Sequence, residues 1–340
     1  MQTCNIRNFI HLVVIVGIVF TAVGLAQSQT TKTSTKKPDV NRTTAGRTPW
    51  GDPDLEGVYQ SDDFKAVPLE RPVEMGERKY LTDEEYSKRV QQSQQQLQDD
   101  QSPTYTNRKT GDLGQGNLGY WTNRAKPNRQ TSEVIDPPDG RIPYRDGKRP
   151  PERTGPRGTP INSPEDLNLL NRCITGGFSM FPKGTENNTV RFIQAPGLVA
   201  IISEVIHETR LIPLDGRAHA SAEIRQYLGD SRGRWDGDTL VVDVTNFNGK
   251  LGFRVDRPPG GVSGPDMRLT ERFTRIDADT LRYQATVEDP ATYTRPWTVQ
   301  IELKRTSQQF EYACHEGNYS MANMLSGSRA DEKRAADGKK

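Results

Sequence analysis

Alternating apolar and polar residues characterise the second half of the chain. After Thr189, apolar side chains recur at every second position, and turn residues such as Gly, Pro and Asp interrupt them. Successive side chains of a β-strand point to opposite faces, so this pattern is typical of antiparallel strands that bury one face. It predicts strands at residues 190–195, 198–206, 208–213, 232–236, 239–247, 267–276, 280–288, 297–305 and 309–314.

The turns between these segments are short, as at Asp236-Gly237-Asp238 and Asp277-Ala278-Asp279. Turns of this length predict hairpins, and hairpins in series form a meander. A long meander avoids exposed edges by closing on itself. We therefore expect a mainly β fold, an antiparallel meander that closes into a barrel-like domain of the lipocalin or calycin type. That domain covers residues 163–340 and ends in a helix from Tyr319 to Ala336.

The first half of the chain has a different texture. Thr82 and Glu85 form a capping box that predicts a helix to about residue 100. Residues 101–162 are rich in Gly, Pro, Asn and Arg. We expect residues 48–162 to form an N-terminal arm with one helix and long loops, in which residues 101–162 either wrap around the core or cover a binding site.

The N-terminus has the features of a signal peptide. Arg7 precedes an apolar run from Phe9 to Leu25, and small residues follow before Gln27. This arrangement predicts cleavage after residue 26 and a periplasmic or secreted protein without a membrane span. A single membrane anchor is the alternative, since about 17 residues is the short limit for a span. Residues 27–47 are polar and predict a disordered spacer.

Export changes the interpretation of the cysteines. Only Cys173 and Cys314 remain after cleavage, and in an oxidising compartment they predict one disulfide. It would close a loop of about 140 residues and stabilise the fold by on the order of 5 kcal/mol. Two unpaired buried thiols are the alternative.

Composition and charge restrict the partners. Hydrophobic residues make up 32% of the chain, beside 30 Gly and 23 Pro, so much of it is loop. The 46 basic and 44 acidic residues nearly balance, which argues against nucleic acid and against an anionic membrane surface. The chain lacks the nucleotide, zinc-protease, haem and serine-hydrolase motifs, so we expect a small-molecule partner and no cofactor.

The longest apolar run of the mature chain, residues 197–217, also carries charged groups. Glu204 is in phase with Leu198, Ala200 and Ile202, and lies close to His207, Glu208 and Arg210. An inward carboxylate needs a partner, because an unpaired one costs several kcal/mol.

A second inward carboxylate is expected at Glu271, which is in phase with Leu269, Phe273 and Arg275. These two carboxylates belong either to Glu–Arg pairs inside the barrel or to the wall of a cavity, where one of them acts as a general acid.

The histidines add further candidates. His207, His219 and His315 have acidic residues nearby and are candidates for acid–base chemistry or zinc, but no pair has a recognised ligand spacing. We therefore predict no metal. The predicted catalytic residues are Glu204, His207 and His315. The predicted substrate-binding residues are Glu271, Arg275, Trp235 and Tyr283, the two aromatic ones being equally suited to the core.

Several long segments together resemble a large family of exported proteins from soil and other environmental bacteria. The resemblance covers roughly residues 48–335. The segments that carry it, in order, are TPWGDPDLEGVY, DPPDGRIP, HETRLIPLDGRAH, LGDSRGRWDGDTLVVDVTNF, ERFTRIDADTLRYQATVEDPATYTRPW and EYACHEGNY. The resemblance implies export and a β-rich fold, and it implies no catalytic residue or cofactor.

These observations predict an exported protein that binds a sugar or an aromatic compound in a barrel-like interior. The inward carboxylates and the histidines suggest hydrolysis or elimination by acid–base catalysis. The alternatives are a non-catalytic binding protein of the same fold and a cell-envelope interaction protein.

Overall fold

The fold is one curved antiparallel sheet. A computed structural model describes residues 46–64, 66–101, 127–145, 147, 162, 163, 166, 167, 169, 170, 172–177, 189–250, 264–312, 314 and 319–338. The strands are β1 Gly57–Gln60, β2 Val134–Asp136, β3 Val190–Ala195, β4 Leu198–Ser203, β5 Thr209–Pro213, β6 Asp230–Asp236, β7 Thr239–Thr245, β8 Arg268–Arg275, β9 Thr280–Glu288 and β10 Trp297–Thr306.

Two meanders meet through a strand from the N-terminal arm. The hydrogen-bonded order is β5-β4-β3-β1-β10-β9-β8-β7-β6, and β2 also pairs with β10. β1 lies between β3 and β10, with Val58 opposite Arg191 on one side and Thr306 on the other. The predicted meander is therefore present in two parts, and β1 joins them.

The helices agree closely with the sequence patterns. α1 spans Asp83–Gln101, and α2 spans Ser320–Asp337. The capping box is formed as predicted, since Thr82 N donates to Glu85 Oε2 at 2.9 Å and Glu85 N donates to Thr82 Oγ1 at 3.3 Å. Neither described helix has the length and apolar character that crossing a bilayer would require.

The inward faces of β9 and β10 form the core as predicted. The inward positions from Leu281 to Val287 and from Trp297 to Leu303 are apolar and at most 1% exposed. In β9 and β10 these residues are Leu281, Tyr283, Ala285, Val287, Trp297, Val299, Ile301 and Leu303.

The sheet curls so that distant strands touch. Phe192 of β3 packs against Phe273 of β8 with ring centroids 5.3 Å apart, although β1, β10 and β9 separate these strands in the sheet. The curl brings the two edge strands, β5 and β6, side by side. The interior therefore resembles that of a barrel.

Backbone hydrogen bonds do not close the barrel. In the described part of the sheet the pairing ends at β5 and β6, so the prediction of a closed barrel was only partly right. We call the gap between β5 and β6 the seam. Side chains close one end of the seam. A Cβ on Gly233 of β6 would lie 2.5 Å from Leu214 Cδ2 and 2.7 Å from Ile212 Cγ2, so the glycine permits β5 to approach.

The face assignment of the strand at 198–206 was wrong. Val199, Ile201 and Ser203 are buried, whereas Leu198, Ala200 and Ile202 are only half-buried. The strand ends at Ser203, and residues 204–207 form the turn to β5. Because both faces of this segment are apolar, alternation alone does not distinguish them.

The C-terminal region contains the predicted disulfide but lacks the predicted strand. Cys173 and Cys314 are bonded, with Cα atoms 5.5 Å apart. The described residues 309–312 form no strand, and Tyr312 makes only an isolated bridge with Val205. The predicted signal peptide, most of the predicted spacer, residues 102–126 of the arm and His315 lie outside the described residues.

Candidate functional site

Glu204, the first catalytic candidate, is buried beside Thr189. Its Oε2 accepts hydrogen bonds from Thr189 Oγ1 at 2.6 Å and from Thr189 N at 3.2 Å. The backbone N of Glu204 donates in turn to Thr189 O at 2.9 Å. The carboxylate therefore ties the end of β4 to the start of β3.

His207 lies on the surface of the turn that follows. It is exposed, and both Ile206 and His207 have left-handed backbone conformations, with φ of 48° and 59°. Glu204 and His207 are thus close in sequence but point to different environments. His315 lies outside the described residues, so its predicted role stays a prediction.

Arg275 anchors backbone carbonyls at the far end of β8. Its guanidinium donates to Asp54 O at 3.0 Å, to Asp277 O at 3.2 Å and to Ala278 O at 2.9 Å. It is four residues from Glu271, or about 13 Å along the strand. These two predicted substrate-binding residues therefore do not meet.

Glu271 has a different arginine as its partner. Arg210 of β5 reaches across the interior and places its Nη2 2.6 Å from Glu271 Oε2, in a pair whose side chains are 12% and 0% exposed. Tyr283 donates its hydroxyl to Glu271 Oε1 at 3.0 Å. Burial and the adjacent carboxylate raise the pKa of Tyr283 well above its ordinary value.

A pocket opens where the seam between β5 and β6 is not closed by side chains. Its volume is about 620 Å³. The walls are residues 208–211 of the turn and β5, residues 225–231 leading into β6, and Ile174, Thr175 and Asn248. Arg210 is part of this wall, so its ion pair connects the pocket to the buried Glu271.

Glu208 is the acidic residue of the pocket wall next to β5. Its Oε2 accepts hydrogen bonds from Thr175 Oγ1 at 2.7 Å and from Gly176 N at 3.3 Å. Burial raises the pKa of its carboxyl, and these hydrogen bonds together with the charge of Arg210 offset the effect only in part. A carboxyl of this kind retains its proton to higher pH than an exposed one.

Asp230 forms the opposite wall and belongs to a charged network. His219 places Nδ1 2.8 Å from Asp230 Oδ2 and Nε2 3.1 Å from Asp243 Oδ2. Although burial opposes ionisation of Asp243, hydrogen bonds from Arg268 and His219 hold its pKa below the ordinary value.

The two nitrogens of His219 face different carboxylates, so these groups do not converge on one point. Among the described residues, no cluster of three or more such ligands is arranged to hold a metal ion.

The two predicted aromatic contacts lie away from the pocket. Tyr283 is fully buried beneath Glu271 and stacks on Phe273 at 5.1 Å. Trp235 is on the inward side of β6, four residues or about 13 Å from Ser231, and packs against the core. Neither lines the pocket.

Residues 197–217 supply Glu208 and Arg210 to the pocket wall, whereas Glu204 and His207, the residues predicted from this stretch, do not line it. The alternation of side chains along the strand could have indicated Glu208 and Arg210, because both lie on the same side of the chain as the buried Ile212. Thr175 and Asn248 come from distant loops that no local pattern connects to β5.

No protein-family model matches the chain, and no curated protein matches it either. Solved structures align with part of it, among them the following two. A secretary abundant heat soluble (SAHS) protein from Ramazzottius varieornatus is 10% identical, with 35% of this chain and 70% of that chain covered and a TM-score of 0.22. A mutant of the fluorescent protein UnaG is 14% identical, with 41% and 86% covered and a TM-score of 0.21. TM-scores this low support no conclusion about the site.

Proposed function

We propose that this protein binds a small organic molecule in the pocket between β5 and β6. The observation that carries the proposal is a pocket of about 620 Å³ between β5 and β6, where the backbone pairing of the described sheet ends. Pockets of roughly 300–1,000 Å³ hold most small-molecule ligands. Strands on both sides of the opening supply rigid walls.

A buried network supports this site from behind. Glu271 pairs with the guanidinium of Arg210, and Tyr283 donates a hydrogen bond to Glu271. The guanidinium is therefore positioned before any ligand arrives. Side chains fixed in this way lose little entropy on binding. The arrangement therefore favours a preformed site.

We further propose that the same pocket carries out acid–base catalysis on the bound molecule. Hydrolysis or elimination by acid–base catalysis needs a carboxyl that can give its proton to an oxygen of the leaving group. Glu208 fits this role, because burial raises the pKa of its carboxyl and because it lines the pocket. A Glu208→Gln variant should then bind the ligand and release no product.

Export to an oxidising compartment completes the proposal. The Cys173–Cys314 disulfide supports it, because structural disulfides persist mainly outside the cytosol. Mass spectrometry of the protein from its native host would test the point. A mature chain that begins at residue 27 is expected, and a chain that retains the first 26 residues would contradict it.

The test of the binding site is a thermal-shift screen of sugars, aromatic compounds and amino acids. Leu211→Ala and Tyr227→Ala remove apolar contacts from the pocket wall, and Ile193→Ala and Ile276→Ala are matched surface controls, 40% and 39% exposed. A ligand should raise the melting temperature of the wild type and both controls, and less so that of the wall variants. If His207→Ala or Glu204→Gln abolishes the shift while the wall variants keep it, the site lies at the turn instead.

A further inference from the structure

We propose that the ligand is an uncharged molecule rich in hydroxyl groups, of the size of a small sugar. This inference rests on the proposed function, since it assumes that the seam pocket is the binding site. Three features of the pocket wall support it: its compensated charges, its mixture of hydrogen-bonding groups, and its shortage of aromatic rings.

The charged groups of the wall already have partners within the protein. Arg210 is paired with Glu271, and Asp230 contacts His219 and Arg232. Arg225 donates to the backbone carbonyls of Phe247 and Pro265.

The fourth ionisable group is Glu208, which accepts from Thr175 and Gly176. An ionic ligand would have to leave water and also displace a partner, and both steps cost free energy. The pocket therefore favours an uncharged ligand.

The remaining polar side chains can both donate and accept. Gln226 and Asn248 carry amides, and Thr209 and Tyr227 carry hydroxyls. A sugar hydroxyl also donates and accepts, so it can bond to any of these groups. Leu211, Leu228 and Ile174 supply the apolar surface that the ring carbons need.

Ser231 provides an independent observation. It is 6% exposed and lines the pocket, and its Oγ has no hydrogen-bond partner among the described residues. An unpartnered buried hydroxyl is costly, and most native structures avoid it. Rotation about one bond turns a seryl hydroxyl, so a ligand hydroxyl can complete the missing bond.

The aromatic alternative has little support in this wall. Tyr227 is the only aromatic side chain among the described lining residues. Flat aromatic ligands are usually held by several apolar and aromatic side chains. Trp235 and Tyr283, which would have served this purpose, are elsewhere in the core.

A matched set of probes separates charge from aromaticity. Glucose, glucose 6-phosphate and benzyl alcohol are titrated against the full mature protein by isothermal calorimetry. Glucose should bind, and glucose 6-phosphate should bind at least about tenfold more weakly, because Arg210 and Arg225 of the pocket wall are already paired with Glu271 and Asp266. Benzyl alcohol should also bind more weakly than glucose.

Ser231→Ala distinguishes a ligand contact from a structural role. It should weaken glucose binding about three- to tenfold, which is the loss of one neutral hydrogen bond, and leave the melting temperature unchanged or higher. Ser132→Ala is the matched control, because Ser132 is also buried but donates to Val134 O at 2.8 Å. It should lower the melting temperature and leave glucose binding unchanged.

The possible outcomes separate the two proposals. If glucose 6-phosphate or benzyl alcohol binds more tightly than glucose, and Leu211→Ala weakens that binding, the ligand class is wrong and the pocket remains the binding site. If Ser231→Ala lowers the melting temperature and leaves glucose binding intact, the hydroxyl is structural and the sugar assignment loses its main contact. If no probe binds, the ligand class and the binding site both fail.

Discussion

The centre of the sheet and its two edge strands use the same backbone pattern for opposite purposes. At β9 and β10, the inward side chains from Leu281 to Val287 and from Trp297 to Leu303 are apolar and at most 1% exposed, and both strands pair with neighbours on either side. At the seam, the inward residues include Arg210, Ser231 and Gly233, and no backbone pairing joins β5 to β6 in the described structure. Polar residues on inward positions of edge strands therefore produce a pocket, whereas apolar ones produce a core.

The largest effect is expected from breaking the ion pair that spans the seam. Arg210→Met leaves the fully buried Glu271 without its cation, which should lower the free energy of unfolding by about 3–5 kcal/mol. Urea denaturation measures this.

The double variant Arg210→Met/Glu271→Leu provides the internal control, since it removes the orphaned charge and should recover most of the loss. Arg272→Met is a second control. Its pair with Asp236 is 39% and 60% exposed, so the change should stay below about 1 kcal/mol. An equally small loss for Arg210→Met would show that the buried pair does not support the pocket.

The same leucine truncation should have opposite consequences in the two regions. Leu281→Ala in β9 creates a core cavity and should cost about 2–5 kcal/mol without changing ligand affinity in the fraction that remains folded. Leu211→Ala at the seam, where the side chain is 57% exposed, should leave stability within about 0.5 kcal/mol and weaken ligand binding. Denaturation measures the stability of both variants, and calorimetry measures their ligand affinity. Similar changes in stability and affinity for the two variants would contradict the difference between core and seam.

A larger side chain at Gly233, where side chains close the seam, should have an intermediate effect on stability. Gly233→Val places side-chain atoms where Leu214 and Ile212 already lie, and overpacking of this kind costs about 1–3 kcal/mol. Gly327→Ala is the control, since nothing lies within 4 Å of its Cβ position in α2, and it should stabilise the helix by about 0.5–1 kcal/mol. A neutral Gly233→Val would mean that side chains do not close the seam.

The smallest effect is a change in pH dependence. Because burial raises the pKa of Glu208, the folded protein binds its proton more tightly than the unfolded chain does. Stability from this group is present below the ordinary glutamate pKa of about 4.3 and is lost as pH rises through the folded pKa. Glu208→Gln should therefore gain stability relative to the wild type as pH rises over that interval.

Denaturation curves between about pH 4 and 8 measure this difference. Glu223→Gln, at an exposed position outside the pocket, controls for the loss of one negative charge. Parallel profiles for wild type and Glu208→Gln would contradict a raised pKa at Glu208.

The fold was predictable where one face was clearly apolar. The strands at 190–195 and 280–288 have the predicted bounds, because their alternation is regular and turn residues limit them. The strand at 198–206 was assigned to the wrong face, because its two faces are equally apolar. β1 has only four residues, and its pairing with Thr306 is a long-range contact that local patterns do not contain.

For the site, the sequence predicted only that an inward carboxylate needs a partner, and it did not predict which residue that partner is. The phase of Glu271 with Leu269 and Phe273 indicated an inward carboxylate that needs a partner, and the structure confirms it. The partner, Arg210, is 61 residues away in sequence and comes from the opposite edge of the sheet. Curling of the sheet brings them together, and curling depends on the whole set of strand pairings.

Amide chemical shifts show directly whether a ligand binds at the seam between β5 and β6. The ¹⁵N-labelled mature protein is titrated with the tightest-binding of glucose, glucose 6-phosphate and benzyl alcohol, and the perturbed amides are mapped onto the strands. Binding at the seam predicts that the largest shifts fall in residues 208–211 and 225–231, with little change in β9 and β10. Shifts that are largest in β9 and β10, or absent from the seam, would contradict the claim that the open edge of the sheet is the binding site.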